Sequence, residues 1–217
     1  MSSTLPLIML GAGGHAKVLL ALARASGWEI VGVCDPQLAE RGCQEWRGLP
    51  VLGGDEALTS KTGNEVGLIN GIGQLVHGNV RQKVYEKYHA AGFRFPVLVH
   101  PTAWVDPSAS LGDGVQVMAG VVIQADVVVG ANCIINTRSA IDHDCILESH
   151  IHIAPGATLC GSVHVESGAF IACGANIIQG LRIGRDSVVG AGATLVRNLS
   201  AHQVLLGAMP RLKPASL

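Results

Sequence analysis

The chain has 217 residues, 48% of them hydrophobic and only 14% charged, with a formal net charge of -1 and a mean hydropathy of +0.39. That length suits one or two compact domains, and the near-neutral balance excludes the basic surface that nucleic acid or an anionic membrane would need. No apolar run reaches the roughly eighteen residues of a membrane span, and Met1 to Leu10 lacks the basic start of a secretion signal, so a cytoplasmic location is expected.

Leu5 to Leu10 reads as a short strand, followed by the glycine loop Gly11-Ala12-Gly13-Gly14-His15 and a helical pattern through Val18, Leu19, Leu20, Leu22 and Ala23. A second strand, Glu29 to Cys34, ends at Asp35. Gly11-x-Gly13-x-x-Ala16 with an acidic residue at the next strand end fits a dinucleotide fingerprint. Fewer than a hundred residues precede the repeat described below, room for only one mononucleotide-binding half. His15 also adds an imidazole at a helix N-terminus that already favours phosphate, so a nucleotide diphosphate fits better than a dinucleotide. The unit continues with a strand at Leu49 to Leu52, a short helix from Asp55 to Ser60, a strand at Glu65 to Asn70 and a second glycine turn, Gly71-Ile72-Gly73. From Asn79 to Ala91 a helix is expected to bury Val80, Val84, Tyr85 and Tyr88 and to leave Arg81, Lys83 and Lys87 in water, with Gly92 as its cap.

Beyond Val97 the pattern changes. Every sixth residue from Val99 to Leu195 is Val, Leu or Ile, through Val105, Leu111, Val117, Ile123, Val129, Ile135, Ile141, Leu147, Ile153, Leu159, Val165, Ile171, Ile177, Ile183 and Val189. Neither a 3.6-residue helical period nor a two-residue strand period selects that spacing, so the chain must return to the same face by coiling. Four residues after each anchor the side chain is usually small, as at Ala109, Cys133, Cys145, Ala157 and Ala175. Gly112, Gly130, Gly184 and Gly190 directly follow anchors and are expected to supply the positive φ of tight corners. The repeat is expected to end near Asn198, with the tail from Val204 folding back. Cys34, Cys43, Cys133, Cys145, Cys160 and Cys173 form no Cys-x-x-Cys pair and are expected to be free, buried thiols. Their spacing with His matches no zinc motif, so no metal is expected.

Polar groups gather on one coil of the repeat: Asn136-Thr137, then Asp142-His143-Asp144, with His150 and His152 close behind and His164 further on. The eighteen-residue period puts Ala125 one coil before His143 and Gly161 one coil after it, so the imidazole should stand outside with open space above it. A carboxylate neighbour would fix its tautomer and raise its basicity, but the sequence does not decide between Asp142 and Asp144. His152, between Ile134 and Phe170, has a more apolar setting.

The hexapeptide pattern resembles the left-handed parallel β-helix, and the whole chain resembles the bacterial nucleotide-sugar N-acetyltransferases of the bacillosamine and perosamine type, a group that includes sialic-acid O-acetyltransferases. The likeness rests on Gly11-Ala12-Gly13-Gly14-His15, Asp35, Asn136-Thr137, His143-Asp144, His152-Ile153-Ala154-Pro155-Gly156 and Gly190-Ala191-Gly192. It implies an α/β Rossmann-like domain over 1–96 that holds a nucleotide-linked aminosugar, and a left-handed β-helix with a C-terminal tail over 97–217 that holds acetyl-CoA. It also implies a homotrimer and direct acetyl transfer to a 4-amino-4,6-dideoxy sugar in surface-glycan biosynthesis. Carried over by residue, Gly11, Gly13, Gly14, His15, Asp35 and Gly73 would bind the substrate. Asn136, His152, Gly161 and Ala191 would bind acetyl-CoA, and His143 would be the base with Asp144 beside it. The Gly161 N–H would meet the oxyanion. Two departures stand out: Gly207-Ala208-Met209-Pro210 has one residue more than the family's tail motif, and Gln74 to Gly78 is longer. The alternatives are a sugar O-acetyltransferase and a trimeric scaffold that binds a nucleotide sugar without turning it over.

Overall fold

In the computed structural model, residues 5–74, 76 and 78–207 are described. The tail from residue 208 and part of the Gln74 to Gly78 segment therefore lie outside the described residues.

The N-terminal unit is a five-stranded sheet. It comprises β1 (Leu7–Leu10), β2 (Ile30–Cys34), β3 (Glu45–Trp46), β4 (Leu49–Gly53) and β5 (Gly67–Asn70), in the order β3-β4-β2-β1-β5. Only the β3–β4 pair is antiparallel. All four residues of β1 are apolar and buried, as a central parallel strand covered on both faces requires. From β1 the order runs outward through β2 to β4 and then returns to β5 on the other side. That reversal opens a crevice at the carboxyl ends of β1 and β5. Helix α1 (Gly14–Ala25) follows β1, and α2 (Pro36–Glu40) follows β2. The sequence reading missed α2, although Asp35 caps it by accepting from the Leu38 N–H at 3.0 Å and Pro36 occupies its first turn. The helix expected at Asp55 to Ser60 is a single 3-10 turn, Asp55–Leu58.

Helix α3 (Val80–Ala90) corrects the expected burial. Arg81, Tyr85 and Tyr88 are buried and Val80 is exposed. Those three positions form the stripe i, i+4, i+7, and Val80 lies off it.

From Leu98 the chain forms a parallel β-helix of two-residue strands, in three sheets of seven, six and five strands among the described residues. Each strand pairs with the one a full coil on, as Ile134 with His152 and Ile135 with Ile153. The anchors from Val117 to Leu195 are buried, and Val99, Val105 and Leu111 at the open end are half-buried. Corner geometry differs from expectation. Gly112, Gly130, Gly184 and Gly190 do not have positive φ; a Cβ on any of them would approach the backbone of the next coil within 3.0 Å. Positive φ falls instead three residues after each anchor from Leu111 to Val189, at every sixth position from Gly114 to Gly192, including Asn132, Asp144 and His150. The coil also continues past Asn198. Leu199 bridges Ile183 and Leu205 pairs with Val189, each sixteen residues on, so two residues are dropped and the register is kept.

The N-terminal unit sits on the first face of the prism, the sheet containing Gln116–Val117, Ile134–Ile135 and His152–Ile153, and on the corner that leads into it. Ser26 Oγ donates to the Val99 carbonyl at 2.8 Å. Tyr85 and Phe95 pack against Gly114, and the α1 leucines share one continuous core with the coil interior.

Candidate active site

The crevice at β1 and β5 is lined by Gly11, Ala12, Gly13, Gly14, His15, Asp35, Arg41 and Gly71–Gly73, and encloses about 610 Å³. All six residues expected to bind the substrate thus share one cleft, whose size lies in the usual ligand-site range of about 300–1,000 Å³. Gly11, with φ +85°, turns the chain out of β1. Gly71 permits close approach, since a Cβ there would lie 2.8 Å from the Leu10 carbonyl oxygen and 3.0 Å from the Ala16 Cβ. Helix α1 starts from Gly13 with no side-chain cap, so its first N–H groups face the cleft free to meet an anion. Asp35 is already engaged on both oxygens, accepting from the Ala12 N–H at 2.8 Å and from the Leu38 N–H. It shapes the glycine loop as well as lining the cleft.

His15 crosses from this loop to the prism, where its Nε2 lies 2.7 Å from Gln116 Oε1. Burial, reinforced by the nearby Arg81 charge, lowers its pKa to about 3, so the ring is neutral.

His143 lies at the corner between the second and third faces. Its Nδ1 is 2.6 Å from Asp144 Oδ2, while Asp142 Oδ1 accepts the His143 backbone N–H at 2.9 Å. Asp144, not Asp142, is therefore the aspartate whose carboxylate meets the ring. An ionised carboxylate can only accept, so Nδ1 carries the proton and Nε2 presents its lone pair. The hydrogen bond to Asp144 and the charge of Asp142 raise the His143 pKa above the ordinary imidazole value. Space next to the ring is tighter than expected: a Cβ on Gly161 would lie 2.6 Å from Cε1 and 2.7 Å from Nε2. The imidazole leans over Gly161 while its side chain remains 59% exposed.

Asn136 and His152 form a separate pair. Asn136 Oδ1 accepts from the Thr137 N–H at 2.8 Å, which turns its Nδ2 toward His152 Nε2 at 3.1 Å. His152 packs edge-on against Phe170 and is held neutral, its pKa lowered to about 4 chiefly by burial. His150 and His164 are occupied elsewhere, by Asn132 and by Glu148. Ala191 lies at the corner after the first face, where a Cβ on Gly207 would come within 2.7 Å of its carbonyl oxygen.

The residues expected at the site therefore fall into distinct places on one chain. The glycine cleft and the Asn136–His152 pair lie on and beside the first face, and His143, Asp144 and Gly161 lie at the corner opposite that face. Sequence reasoning missed the junction residues Asn70, Arg81, Gln116 and Asn132, all buried polar groups at the contact between the two parts. Gln116 was visible as the lone amide in a column otherwise continued by Ile134, His152 and Phe170. Of the cysteines, all free, Cys34, Cys133 and Cys145 are buried and Cys173 is exposed, contrary to expectation.

A coil of hexapeptide repeats joined to a small parallel α/β unit is the build of an acyltransferase of the hexapeptide-repeat class. Residues 6–88 match the PglD N-terminal domain, and residues 108–142 match the bacterial transferase hexapeptide of six repeats. The structure is similar to that of PerB from Caulobacter crescentus, solved in complex with CoA and GDP-perosamine (38% identity, TM-score 0.85, covering 93% of this chain and 94% of that one). It is also similar to the acetyltransferase domain of PglB from Neisseria gonorrhoeae (34% identity, TM-score 0.86, covering 94% and 97%). A curated relative, GDP-perosamine N-acetyltransferase of Escherichia coli O157:H7, is 29% identical over 118 residues, a stretch that spans about half of each chain, 54% of this one and 53% of the relative. The chain belongs to the family of acetyl-CoA-dependent sugar N-acetyltransferases that contains PerB and the PglB acetyltransferase domain. Among the described residues, no helix is long and apolar enough to cross a membrane.

Proposed function

We propose that this protein acetylates the amino group of a nucleotide-linked 4-amino-4,6-dideoxy sugar, using residues 1–96 to hold the nucleotide sugar and 97–217 to hold acetyl-CoA. The observation that carries the reading is the His143–Asp144 pair at 2.6 Å, its free Nε2 lying beside Gly161. A sugar amine is largely protonated near neutrality, and only its free form attacks a thioester. Nε2 of His143 removes the proton as the nitrogen bonds to the acetyl carbon, help typically worth about 10² to 10⁴ in rate. Asp144 holds the ring and stabilises the imidazolium. The Gly161 N–H, which has no hydrogen-bond partner among the described residues, meets the developing oxyanion. The tetrahedral intermediate then expels CoA as a thiolate, which regains the proton from His143.

In the cleft, the free N–H groups at Gly13 and Gly14 hold the pyrophosphate, and Gly11, His15, Asp35 and Gly73 shape the rest of the site. Asn136, His152 and the backbone at Ala191 take part in holding acetyl-CoA. Because His143 lies across the prism from the cleft, one chain alone does not join base to acceptor. A closed ring of three copies, each presenting its His143 corner to a neighbour's first face, completes the site, and we assign the active form to a homotrimer.

The test is thiol release from acetyl-CoA against GDP- and UDP-linked 4-amino-4,6-dideoxy sugars and free sialic acid. Turnover with a nucleotide aminosugar is expected. Turnover with sialic acid alone would overturn the assignment.

A further inference from the structure

The junction between the N-terminal unit and the coil contains a chain of buried amides whose directions can be read without ambiguity. Gln116, 1% exposed, donates from Nε2 to the Asn70 carbonyl at 2.9 Å. A carbonyl oxygen only accepts, so the atom facing it must be the NH₂ of Gln116. Its Oε1 then faces His15 Nε2 at 2.7 Å, and that nitrogen must carry the ring proton. Arg81 supports the arrangement: Nη1 donates at 2.8 Å to the carbonyls of both Asn70 and Ile72, and Nε donates to the Asn132 carbonyl at 3.4 Å. Asn70 in turn donates from Nδ2 to the Arg81 carbonyl at 2.9 Å. The other nitrogen of His15, Nδ1, has no hydrogen-bond partner among the described residues, in a side chain that lines the cleft.

We propose that Gln116 is a positioning residue that locks His15 in its Nε2–H tautomer, so that Nδ1 acts as a hydrogen-bond acceptor for a donor group on the sugar, a hydroxyl or amine N–H. The inference rests on the nucleotide-sugar reading of the cleft. It divides the glycine loop by chemistry. A neutral ring whose only free nitrogen is an acceptor gives nothing to a phosphate oxygen, so the backbone N–H groups at Gly13 and Gly14 take the pyrophosphate and His15 reads the sugar. An acceptor fixed by a buried amide favours a sugar with a donor at that point and rejects one without it, because the lone pair would then be left unpaired.

The experiment uses the full-length chain labelled with ¹⁵N-histidine, with the His15 signals assigned by their loss in His15→Asn. Ring nitrogen shifts report which nitrogen is protonated, independently of any ligand. In the native protein an Nε2–H ring is expected. Gln116→Leu should give a mixture of tautomers and weaken binding of a GDP- or UDP-linked 4-amino sugar, titrated without acetyl-CoA, by about tenfold, while acetyl-CoA affinity stays within about twofold. Gln116→Glu keeps an acceptor opposite Nε2, but its charge favours a ring protonated on both nitrogens. The Nε2–H signal should persist, Nδ1 should gain a proton and the affinity should stay low, separating the Nδ1 lone pair from a general loss of structure. An Nδ1–H ring in the native protein, or an unchanged tautomer and affinity in Gln116→Leu, would overturn the proposal. If the native protein shows the Nε2–H ring yet binds no nucleotide aminosugar, the reading of the cleft falls, and with it the role given to Nδ1.

Discussion

Gly161→Ala displaces the proposed base without touching a titratable group and keeps the backbone N–H assigned to the oxyanion. Gly161 has no positive φ, so alanine introduces no backbone strain, and the effect falls on the imidazole. The new methyl carbon would stand 2.6 Å from His143 Cε1, where ordinary contact begins at 3.4 Å, so the ring must retreat by the difference, about 0.8 Å. With 59% of the His143 side chain exposed, it can swing outward and leave the core untouched. That motion breaks or lengthens the 2.6 Å bond to Asp144 and moves Nε2 off its line. A displacement near 1 Å at a reacting group costs roughly a hundredfold in rate. The expected result in a thiol-release assay is therefore a kcat lower by about 10², with Tm unchanged or slightly raised because alanine restricts the unfolded chain. A kcat within twofold of native, in a variant whose crystal structure shows the ring displaced, would refute the assignment of His143 as base.

Asp144→Asn should lower the His143 pKa, because it removes the hydrogen bond to a carboxylate that raises it. A base works only unprotonated, so the acidic limb of the kcat profile should move to lower pH while the plateau falls about tenfold or more; a limb that stays in place would count against the pairing. Asp35→Ala should destabilise the fold by about 1–2 kcal/mol in urea unfolding, since both the α2 cap and the Ala12 N–H lose their acceptor, and should raise the KM for the nucleotide sugar. Co-expression of His143→Ala with Gly13→Asp, each inactive alone, should restore about a quarter of native turnover, the fraction of neighbouring pairs that supply an intact base to an intact cleft. Continued inactivity of the mixture would place base and cleft in one chain.

The coil was legible because its signal is redundant. Seventeen anchors at one spacing outweigh any single substitution, and the fourteen from Val117 onward are buried as the period requires. The roles of the corner glycines were not legible, because two different demands select the same residue. Gly190 is needed where two coils nearly touch and Gly192 where φ is +65°, and the sequence shows only glycine at both. The tail register was hidden by a two-residue deletion that moves the anchors to Leu199 and Leu205. Arg81 was misread for a similar reason. Its charge argues for water, yet at 2% exposure its guanidinium serves three carbonyls that no local pattern could place together. Asp35 carried two signals, a strand-end carboxylate suited to a ribose and the Asp-Pro start of a helix. Only the structure shows the second in use.

The placement of the chemistry follows from what a triangular coil can offer. Inward positions are consumed by the core at every face, so polar groups are confined to outward strand positions and to corners. An outward position on the first face is useful only where the appended unit leaves it accessible, and that unit has already drawn Gln116 into its own contact. The corner opposite is free of it, and there the eighteen-residue period puts a glycine directly beside the exposed imidazole, and the N–H of that buried glycine, Gly161, has no hydrogen-bond partner among the described residues. The proposed base and oxyanion donor thus sit on adjacent coils of one prism. The glycine cleft, the proposed acceptor site, has loops tied to the first face through Asn70, Arg81 and Gln116. Under the proposed roles a second copy brings base and cleft together, and turnover should then depend on assembly as strictly as on His143 itself.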